Sequence, residues 1–413
     1  MQEMELFLLQ KRGRKSAIVI LGGSKSKLPF LKRCKKTGYC VILFDRDENC
    51  YCKRYSDYYF RIATNQSSKI VDALERLKNL RIKGVLCYSS QKDALITTSI
   101  VANRYSLPSF TKKAVTNTYD KTKLKAILIQ AGITTPPYSE ATSLSSKKLS
   151  LKLPVIIKPT EGIGSYGTVI IRSKKDLEQY AHIMHGDSLK QKFIVEKYVS
   201  GKLLHIDGFV QNGRIGIFSI CDKKVIEINN TPFTEGYVLL NNSAERFIKS
   251  EVIKILQKGV NSIGIDNHLF GADVIMTDDR KVYVIEIGFL MDSKMDELLS
   301  FAGIDPYKVL LNIITGQEQI RAKKLNNNYV YALKFLYANS LGRFIIKRKF
   351  EVPKGLTLKV SWEKQNNSIV DQPRSIADML GKLIVRSKYK CPWSKIEKLG
   401  VQSFFVKSTG GVL

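Results

Sequence analysis

Short apolar runs alternate with amphipathic stretches over residues 16–110. The runs Ala17–Leu21, Tyr39–Phe44 and Gly84–Tyr88 have the length and composition of buried strands. Between them, segments 28–37 and 70–80 carry apolar residues at helical spacing. Strands that alternate with helices are typical of a parallel sheet, so we predict a βαβ domain in this part of the chain.

The first predicted strand is followed by the turn Gly22-Gly23-Ser24, and Asp45 follows the second strand. This arrangement allows a dinucleotide interpretation, with the glycines beside a pyrophosphate and Asp45 on a ribose. The G-x-G-x-x-G pattern is missing, however, because residues 25–27 are Lys-Ser-Lys. We therefore favour a tight strand-to-helix turn and keep the dinucleotide site as the alternative.

A second pattern starts with a predicted helix over residues 117–131, on which Lys121 and Lys125 lie one turn apart. An apolar run then ends at Lys158 and precedes the glycine-containing segment 160–168. Glycines let backbone N–H groups approach phosphate oxygens, and a lysine ammonium group supplies positive charge. We predict a phosphate-binding loop here; solvated lysines are the alternative for the helical pair.

Two apolar runs that flank the polar segment 277–280 predict a β-hairpin. If Asp279 and Arg280 form the loop, Asp273 lies directly opposite Glu286 on one face. Two carboxylates within apolar strands repel each other unless a cation lies between them, and Mg²⁺ prefers such hard oxygen ligands. We predict a divalent-metal site; a carboxylate pair at the solvated end of the hairpin is the alternative.

The remainder of the chain becomes rich in strand patterns again. A short helix is predicted over residues 375–380. Apolar alternation suggests a small sheet formed by segments 329–337, 343–350, 356–362 and 383–386.

Composition narrows the choice of partners. The 413 residues include 67 Lys plus Arg and 37 Asp plus Glu, and the net charge of +30 favours anionic partners. The basic residues are spread along the chain, which is not the pattern of a nucleic-acid-binding tail. Seven cysteines without paired metal spacing indicate reduced thiols, so we expect a cytoplasmic protein. Neither a signal peptide nor a membrane span is expected.

In their order, these motifs resemble the ATP-grasp ligase superfamily, in particular its carboxylate–amine ligase branch with a carbamoyl-phosphate-synthetase-like ATP-binding fold. The resemblance covers roughly residues 16–320. It implies a fold of class α/β plus α+β: an ATP-grasp fold with an N-terminal Rossmann-like pre-ATP-grasp domain and a C-terminal small β-rich lid subdomain. The implied boundaries are 1–115, 116–328 with a small sheet at about 135–200, and 329–413.

The resemblance also implies ATP and Mg²⁺ as cofactors, with Mn²⁺ as a substitute for magnesium. Matching positions assign the triphosphate to Lys121, Lys158, Gly164, Ser165 and Gly167, the adenine edge to Glu196, Tyr198 and Val199, and the metal to Asp273 and Glu286.

The chain departs from the superfamily in the segment after its last metal ligand. The usual run is Glu-x-Asn-Pro-Arg, whereas Glu286 is followed by Gly288 and Leu290 at the Asn and Arg positions. We predict Asp292 as the replacement metal ligand. As the replacement catalytic cation, beside Lys121 and Lys158, we predict Lys294 or Arg280.

A second departure concerns the ribose. The acidic residue expected to bind the ribose hydroxyls falls on Leu203. His205 or Asp207, which lie nearby, could take this role, and we favour Asp207. A plain strand position is the alternative for His205.

The implied function is an ATP-dependent ligase that activates a small-molecule carboxylate as an acyl-phosphate for attack by an amine. One alternative is a non-catalytic nucleotide-binding protein, because the usual Asn and Arg are lost. Another is a basic protein that binds nucleic acid or a membrane surface, because of the net charge. The expected partners are small carboxylate and amine substrates. Nucleic acid is not expected, while peripheral contact with an anionic surface and a homodimer are left open.

Overall fold

The computed structural model describes residues 15–89, 91–142, 151–162, 167–184, 192–240, 246–292, 294–317, 325–326, 328–347, 351–373, 375–388 and 393–407. These residues form four β-sheets with helices packed against them. No helix within these ranges combines the length and the apolar character needed to cross a membrane.

The N-terminal part is a parallel sheet in the order β3-β2-β1-β4. The first strand in the chain, β1, pairs with β2 on one side and with β4 on the other, so the strand order reverses between β1 and β4. Such a reversal leaves a crevice at the carboxyl ends of these strands. The elements are β1 (Lys15–Leu21), α1 (Leu28–Lys36), β2 (Cys40–Phe44), β3 (Tyr58–Phe60), α2 (Ser67–Glu75), β4 (Leu80–Leu86) and α3 (Lys92–Arg104).

The turn after β1 is as tight as the sequence predicts. The Gly23 N–H donates to Asp45 Oδ2 at 2.6 Å, which draws Asp45 toward the turn. A Cβ atom at Gly23 would lie 2.4 Å from Cys50 Sγ, so a side chain cannot be accommodated. The glycine is therefore required by close packing within the protein, which favours the structural interpretation over the dinucleotide one.

A small antiparallel sheet follows, in the order β5-β8-β6-β7. Lys158 lies in β6, and the glycine-containing segment follows this strand in the chain. The elements from here to the sheet's last strand are α4 (Lys112–Tyr119), α5 (Lys121–Gln130), β5 (Tyr138–Ala141), β6 (Val155–Pro159), β7 (Val169–Ile171), α6 (Lys174–Met184) and β8 (Phe193–Lys197).

The third sheet is large and antiparallel, with its strands in the order β13-β12-β9-β10-β11-β14-β18-β16. The remaining β15, β17 and β19 form a three-stranded sheet. The elements are β9 (Lys202–Gln211), β10 (Arg214–Ile228), β11 (Thr231–Leu239), α7 (Arg246–Ile263), β12 (His268–Met276), β13 (Val282–Gly288), α8 (Met295–Phe301), α9 (Pro306–Ile314), β14 (Val330–Leu336), β15 (Gly342–Ile346), β16 (Leu356–Trp362), β17 (Ile369–Val370), β18 (Gly381–Ser387), α10 (Trp393–Ser403) and β19 (Phe404–Lys407).

The structure differs here from the single small sheet expected for the tail. Strand β14 pairs with β11 through Gly236–Val238, and β18 and β16 continue the large sheet from it. β14 is buried on both faces, including Lys334, whose ammonium pairs with Glu235 at 2.6 Å. Apolar alternation identifies a strand but not its neighbour, so the sequence could not show that the tail completes the large sheet.

One hydrophobic core joins the N-terminal sheet to the large sheet. It contains Val19 and Leu21 of β1, Leu124 of α5, Ile206 of β9 and Val284 of β13, all buried. The shared core fixes α5 relative to the β12–β13 hairpin.

A buried histidine makes part of this core sensitive to acid. His268 lies edge-on to Phe110 and Phe289, with ring centroids 5.2 and 5.8 Å away. Burial lowers its pKa to about 4, so the folded protein holds the ring neutral. The unfolded chain takes up the proton below about pH 6.5, and stability is lost as pH falls from there toward about 4.

We predict that His268→Gln, which cannot titrate, removes this pH dependence. Between about pH 7.5 and pH 5, the native protein should lose roughly 2 kcal/mol more unfolding free energy than the variant. Urea unfolding at both pH values measures the difference. Equal losses in the two proteins would contradict the assignment.

Candidate functional site

The carboxylate of Glu196 lies between two lysines on the inner face of the small sheet. Glu196 Oε2 is 3.0 Å from Lys158 Nζ, and Oε1 is 3.2 Å from Lys125 Nζ. The Glu196 and Lys125 side chains are only 2% and 1% exposed. Burial opposes ionisation of Glu196, but the two lysines outweigh it and lower its pKa. The sequence left Lys125 open between a phosphate contact and a solvated position, whereas its ammonium is enclosed with this carboxylate.

Lys121 begins helix α5 and projects toward the glycine loop. The predicted helix 117–131 is interrupted here, because Asp120 caps α5 by accepting from the N–H groups of Thr122 and Lys123. The Lys121 ammonium donates to the Gly162 carbonyl at 3.0 Å. Burial lowers its pKa, and Glu286 and Lys158 are the charges that act on it most strongly. Lys121 therefore lies within electrostatic range of both Lys158 and the β12–β13 hairpin.

The glycine loop returns to β7 through Gly167. This residue has φ +65°, and a Cβ atom there would lie 2.9 Å from Pro159 Cγ. The Gly167 carbonyl accepts a hydrogen bond from the Tyr180 hydroxyl at 2.5 Å. The predicted phosphate contacts Gly164 and Ser165 lie outside the described residues.

The predicted adenine edge leaves one open backbone donor. The Tyr198 N–H donates to the Pro154 carbonyl at 3.1 Å, and the Glu196 carboxylate is held by two lysines. The Val199 N–H donates to no residue in the described part of the chain. A base at this edge would therefore meet backbone at Val199, not the Glu196 side chain.

The hairpin places Asp273 opposite Glu286, which confirms the predicted pairing. The route to that register differs from the one assumed. The Thr277 N–H donates to the Lys281 carbonyl, so the loop has three residues, with Arg280 in the left-handed conformation at φ 65°. A bulge at Ile285 then restores the pairing, because Val274 is opposite Val284.

Asp273 and Asp292 share a lysine that the sequence did not identify. Lys223 Nζ lies 2.8 Å from Asp273 Oδ2 and 2.8 Å from Asp292 Oδ2. His205 Nδ1 lies 2.7 Å from the other oxygen, Asp273 Oδ1. Both oxygens of Asp273 are thus occupied by groups of the protein itself.

A second ring of hydrogen bonds holds this cluster. His205 Nε2 lies 2.9 Å from Asp207 Oδ1, and the Tyr237 hydroxyl donates to Asp292. Burial disfavours the charged imidazole, but Asp207 and Asp273 outweigh it and raise the His205 pKa to about 10. Burial likewise opposes the charge of Lys223, and the two aspartates raise its pKa. The Asp207 side chain is fully buried, which makes it a poor ribose ligand.

Glu286 is the carboxylate of the hairpin that stays open. It is half-buried and has neither an ion pair nor a side-chain hydrogen bond within the described residues. A divalent ion therefore fits at Glu286. It does not fit between Asp273 and Asp292 while the Lys223 ammonium lies there.

The two predicted replacement cations lie elsewhere. Lys294 pairs with Glu363 at 3.2 Å, in a group that also includes Lys382 and Glu297. Arg280 is exposed in the hairpin turn. No contact among the described residues joins Lys294 to Lys158 or Glu196, so Lys294 receives no catalytic role from the geometry.

A cavity of about 630 Å³ opens at the carboxyl end of the N-terminal sheet. Its lining includes Gly22, Lys27 and Asp45, together with Glu161 from the loop after Lys158. Lys27 is buried and donates to Ser26 Oγ at 3.0 Å, with no carboxylate at ion-pair distance among the described residues. The cavity thus adjoins the phosphate-binding segment and contains a buried ammonium group.

Comparison with known proteins identifies similar sequences. Residues 118–288 match the family described as ATP-grasp domain. The carbamoyl phosphate synthase large chain of Thermotoga maritima is 20% identical over 257 residues, which are 60% of this chain and 23% of that protein. The D-alanine–D-alanine ligase of Trichlorobacter lovleyi is 23% identical over 176 residues, 40% of this chain and 53% of that protein. The chain spans less than two thirds of either relative.

Solved structures resemble the chain over nearly its whole length. The L-amino acid ligase of Bacillus licheniformis has a TM-score of 0.74 at 16% identity, covering 97% of this chain and 100% of that one. Phosphoribosylglycinamide synthetase of Anaerococcus prevotii has a TM-score of 0.68 at 16% identity, covering 96% and 100%. The chain has the ATP-grasp fold. Residues 118–288, which match the ATP-grasp domain family, lie within this fold.

We predict that Glu196→Gln destabilises the protein by about 3 kcal/mol, because it leaves the buried Lys125 ammonium without a counter-charge. Urea unfolding measures the change. Glu140→Gln, on the exposed side of β5, is the matched control and should change stability by less than about 0.5 kcal/mol. If the two variants unfold alike, Glu196 does not compensate the lysines.

Proposed function

We propose that this protein is an ATP-dependent ligase that activates a small-molecule carboxylate as an acyl-phosphate for attack by an amine. The observation that carries the proposal is the group formed by Lys121, Lys158, Glu196 and Glu286, which two sheets and α5 bring together. Similar proteins named as ligases, such as the D-alanine–D-alanine and L-amino acid ligases, support the same reaction class.

The reaction has two steps. A carboxylate oxygen of the acid attacks the γ-phosphorus of ATP, the bond to the β,γ-bridging oxygen breaks, and ADP leaves. The amine nitrogen then attacks the carbonyl carbon of the acyl-phosphate, inorganic phosphate leaves, and the nitrogen loses a proton. Such transfers depend mainly on positioning and on neutralising the oxygen charges.

The residues of the cleft have separate roles in this proposal. Lys121 and Lys158 bind the phosphate oxygens, and Glu196 holds Lys158 in place. The Val199 N–H donates to the adenine ring.

We propose that one carboxylate of the hairpin binds magnesium. Glu286 would hold the ion together with phosphate oxygens, which Mg²⁺ prefers as ligands, and Mn²⁺ could replace it. The ion would supply further neutralisation of the triphosphate. Asp273 and Asp292 are not assigned to it.

We place the acid substrate at the N-terminal cavity. Glu161 of the phosphate-binding segment lines this cavity and pairs with Lys92 at 3.5 Å, so the cavity lies beside the expected γ-phosphate. The buried Lys27 ammonium favours an anionic ligand. We propose the cytoplasm as the compartment, since the six cysteines among the described residues are free and buried.

The direct assay of the proposal measures ADP and phosphate release from MgATP with panels of carboxylates and amines. We expect release that depends on both an acid and an amine. ATP binding without turnover across broad panels would favour the non-catalytic alternative, and no ATP binding would refute both.

We predict that Lys158→Met weakens ATP binding by about ten- to one-hundred-fold, because a charge-assisted contact with phosphate is lost. Isothermal titration with a non-hydrolysable ATP analogue measures the affinity. Lys197→Met is the control, because Lys197 is exposed and follows Glu196 on the other face of β8. Equal affinities for the two variants would contradict the phosphate role of Lys158.

We also predict that Glu286→Gln raises the Mg²⁺ concentration needed for tight nucleotide binding, because an open carboxylate ligand becomes a neutral amide. Nucleotide affinity measured over a Mg²⁺ series tests this without reference to turnover. An unchanged Mg²⁺ dependence would remove Glu286 from the metal site.

A further inference from the structure

The cluster around Asp273 contains the side chains that commonly bind a metal ion, but the ammonium group of Lys223 lies among them. One oxygen each of Asp273 and Asp292 and one ring nitrogen of His205 lie within 4.8 Å of one another. This donor set suits a divalent transition ion. The Lys223 ammonium lies 2.8 Å from both carboxylates, in the space that such an ion would share.

The surroundings of His205 strengthen the comparison with a metal centre. Asp207 binds Nε2 and so directs Nδ1 toward Asp273 and Asp292, the same support that carboxylates give to metal-binding histidines. His205 and Asp273 are direct cross-strand neighbours on β9 and β12. The donors are therefore fixed by the sheet.

Lys223 is equally well fixed in place. It lies opposite Tyr237 in the β10–β11 pairing, and its ammonium is 5.8 Å from the centre of that ring. Tyr237 is fully buried and donates to Asp292. The Lys223 side chain is only 11% exposed, so the ammonium is held within the cluster instead of reaching it from solvent.

We propose that Lys223 is a built-in cation that replaces a divalent ion between Asp273 and Asp292. The chain then neutralises this acidic pair with its own side chain instead of an exchangeable metal. The same geometry implies that removal of the Lys223 charge converts His205, Asp273 and Asp292 into a true metal site. The inference concerns the nucleotide-free protein, so it stands or falls independently of the proposed ligase activity.

The local charges explain why a divalent ion and the Lys223 ammonium exclude each other from this site. Three carboxylates, Asp207, Asp273 and Asp292, face two cationic groups, Lys223 and His205. A divalent ion within a few ångströms of the ammonium would be repelled strongly in this buried setting. With methionine at position 223 the chain keeps a side chain of similar length, and the acidic pair keeps only His205 as a counter-charge. The ring releases its Nδ1 proton to solvent when a metal ion binds there.

The test is a Mn²⁺ titration of the nucleotide-free full chain, with free Mn²⁺ followed by electron paramagnetic resonance. Lys223→Met should gain one Mn²⁺ site that is at least about ten-fold tighter than any site of the native protein. The double variant Lys223→Met with Asp273→Asn should lose that site again. Lys224→Met is the matched control, because the neighbouring Lys224 pairs with Asp222 instead, at 3.0 Å, and it should bind Mn²⁺ like the native protein.

A Lys223→Met chain that binds Mn²⁺ no more tightly than the native protein would overturn the proposal. If that variant folds only when Mn²⁺ is present, the result supports it. Should the variant fail to fold in either condition, Mn²⁺ binding by the native chain and by the Glu286→Gln variant tests the proposal instead. Glu286→Gln without any tight Mn²⁺ site agrees with the proposal, whereas a tight site that survives this change means that a metal displaces Lys223.

Discussion

The pairing of the buried Glu196 carboxylate with two lysines is the interaction on which one side of the candidate site depends. The carboxylate binds Lys158 from β6 and Lys125 from α5, and so ties the helix to the small sheet. Without it, Lys125 would be an uncompensated charge in the interior. Because each lysine holds one oxygen of the same carboxylate, the position of Lys158 is coupled to α5, and α5 also begins with Lys121. The two lysines that we assign to phosphate are therefore set by one carboxylate and one helix.

Charge is divided unequally across the cleft. On the small-sheet side, Lys125 and Lys158 share Glu196 and Lys121 donates to the Gly162 carbonyl, which leaves positive charge for an anionic ligand. On the large-sheet side, the acids at positions 273 and 292 are already neutralised by Lys223 and His205, and only Glu286 stays open. The sequence predicts that a metal ion neutralises the carboxylates of the hairpin. In the structure, Lys223 and His205 supply much of that positive charge. Gly288, at the position where the superfamily usually has Asn, cannot bind a metal either, which agrees with a smaller role for metal ligands on this side.

Much of the fold follows from sequence periodicity, and the errors have definable causes. Strands, the hairpin and the order of motifs depend on local apolar patterns, which the sequence contains. The Asp273–Glu286 pairing is right although the loop has three residues, because the bulge at Ile285 compensates, and neither feature has a strong local signal. Lys223 escaped notice because its partners come from β12 and from the segment after β13, and only the pairing of strands brings them together. The place of β14 in the large sheet has the same origin.

The most direct test of the account is a crystal structure with a non-hydrolysable ATP analogue and Mn²⁺, whose anomalous scattering locates the ion. The account predicts the triphosphate beside Lys121 and Lys158, the adenine ring at the Val199 N–H, manganese at Glu286, and Lys223 still between Asp273 and Asp292. An analogue bound away from Lys158 and Glu196, for example in the N-terminal cavity, would contradict the central claim.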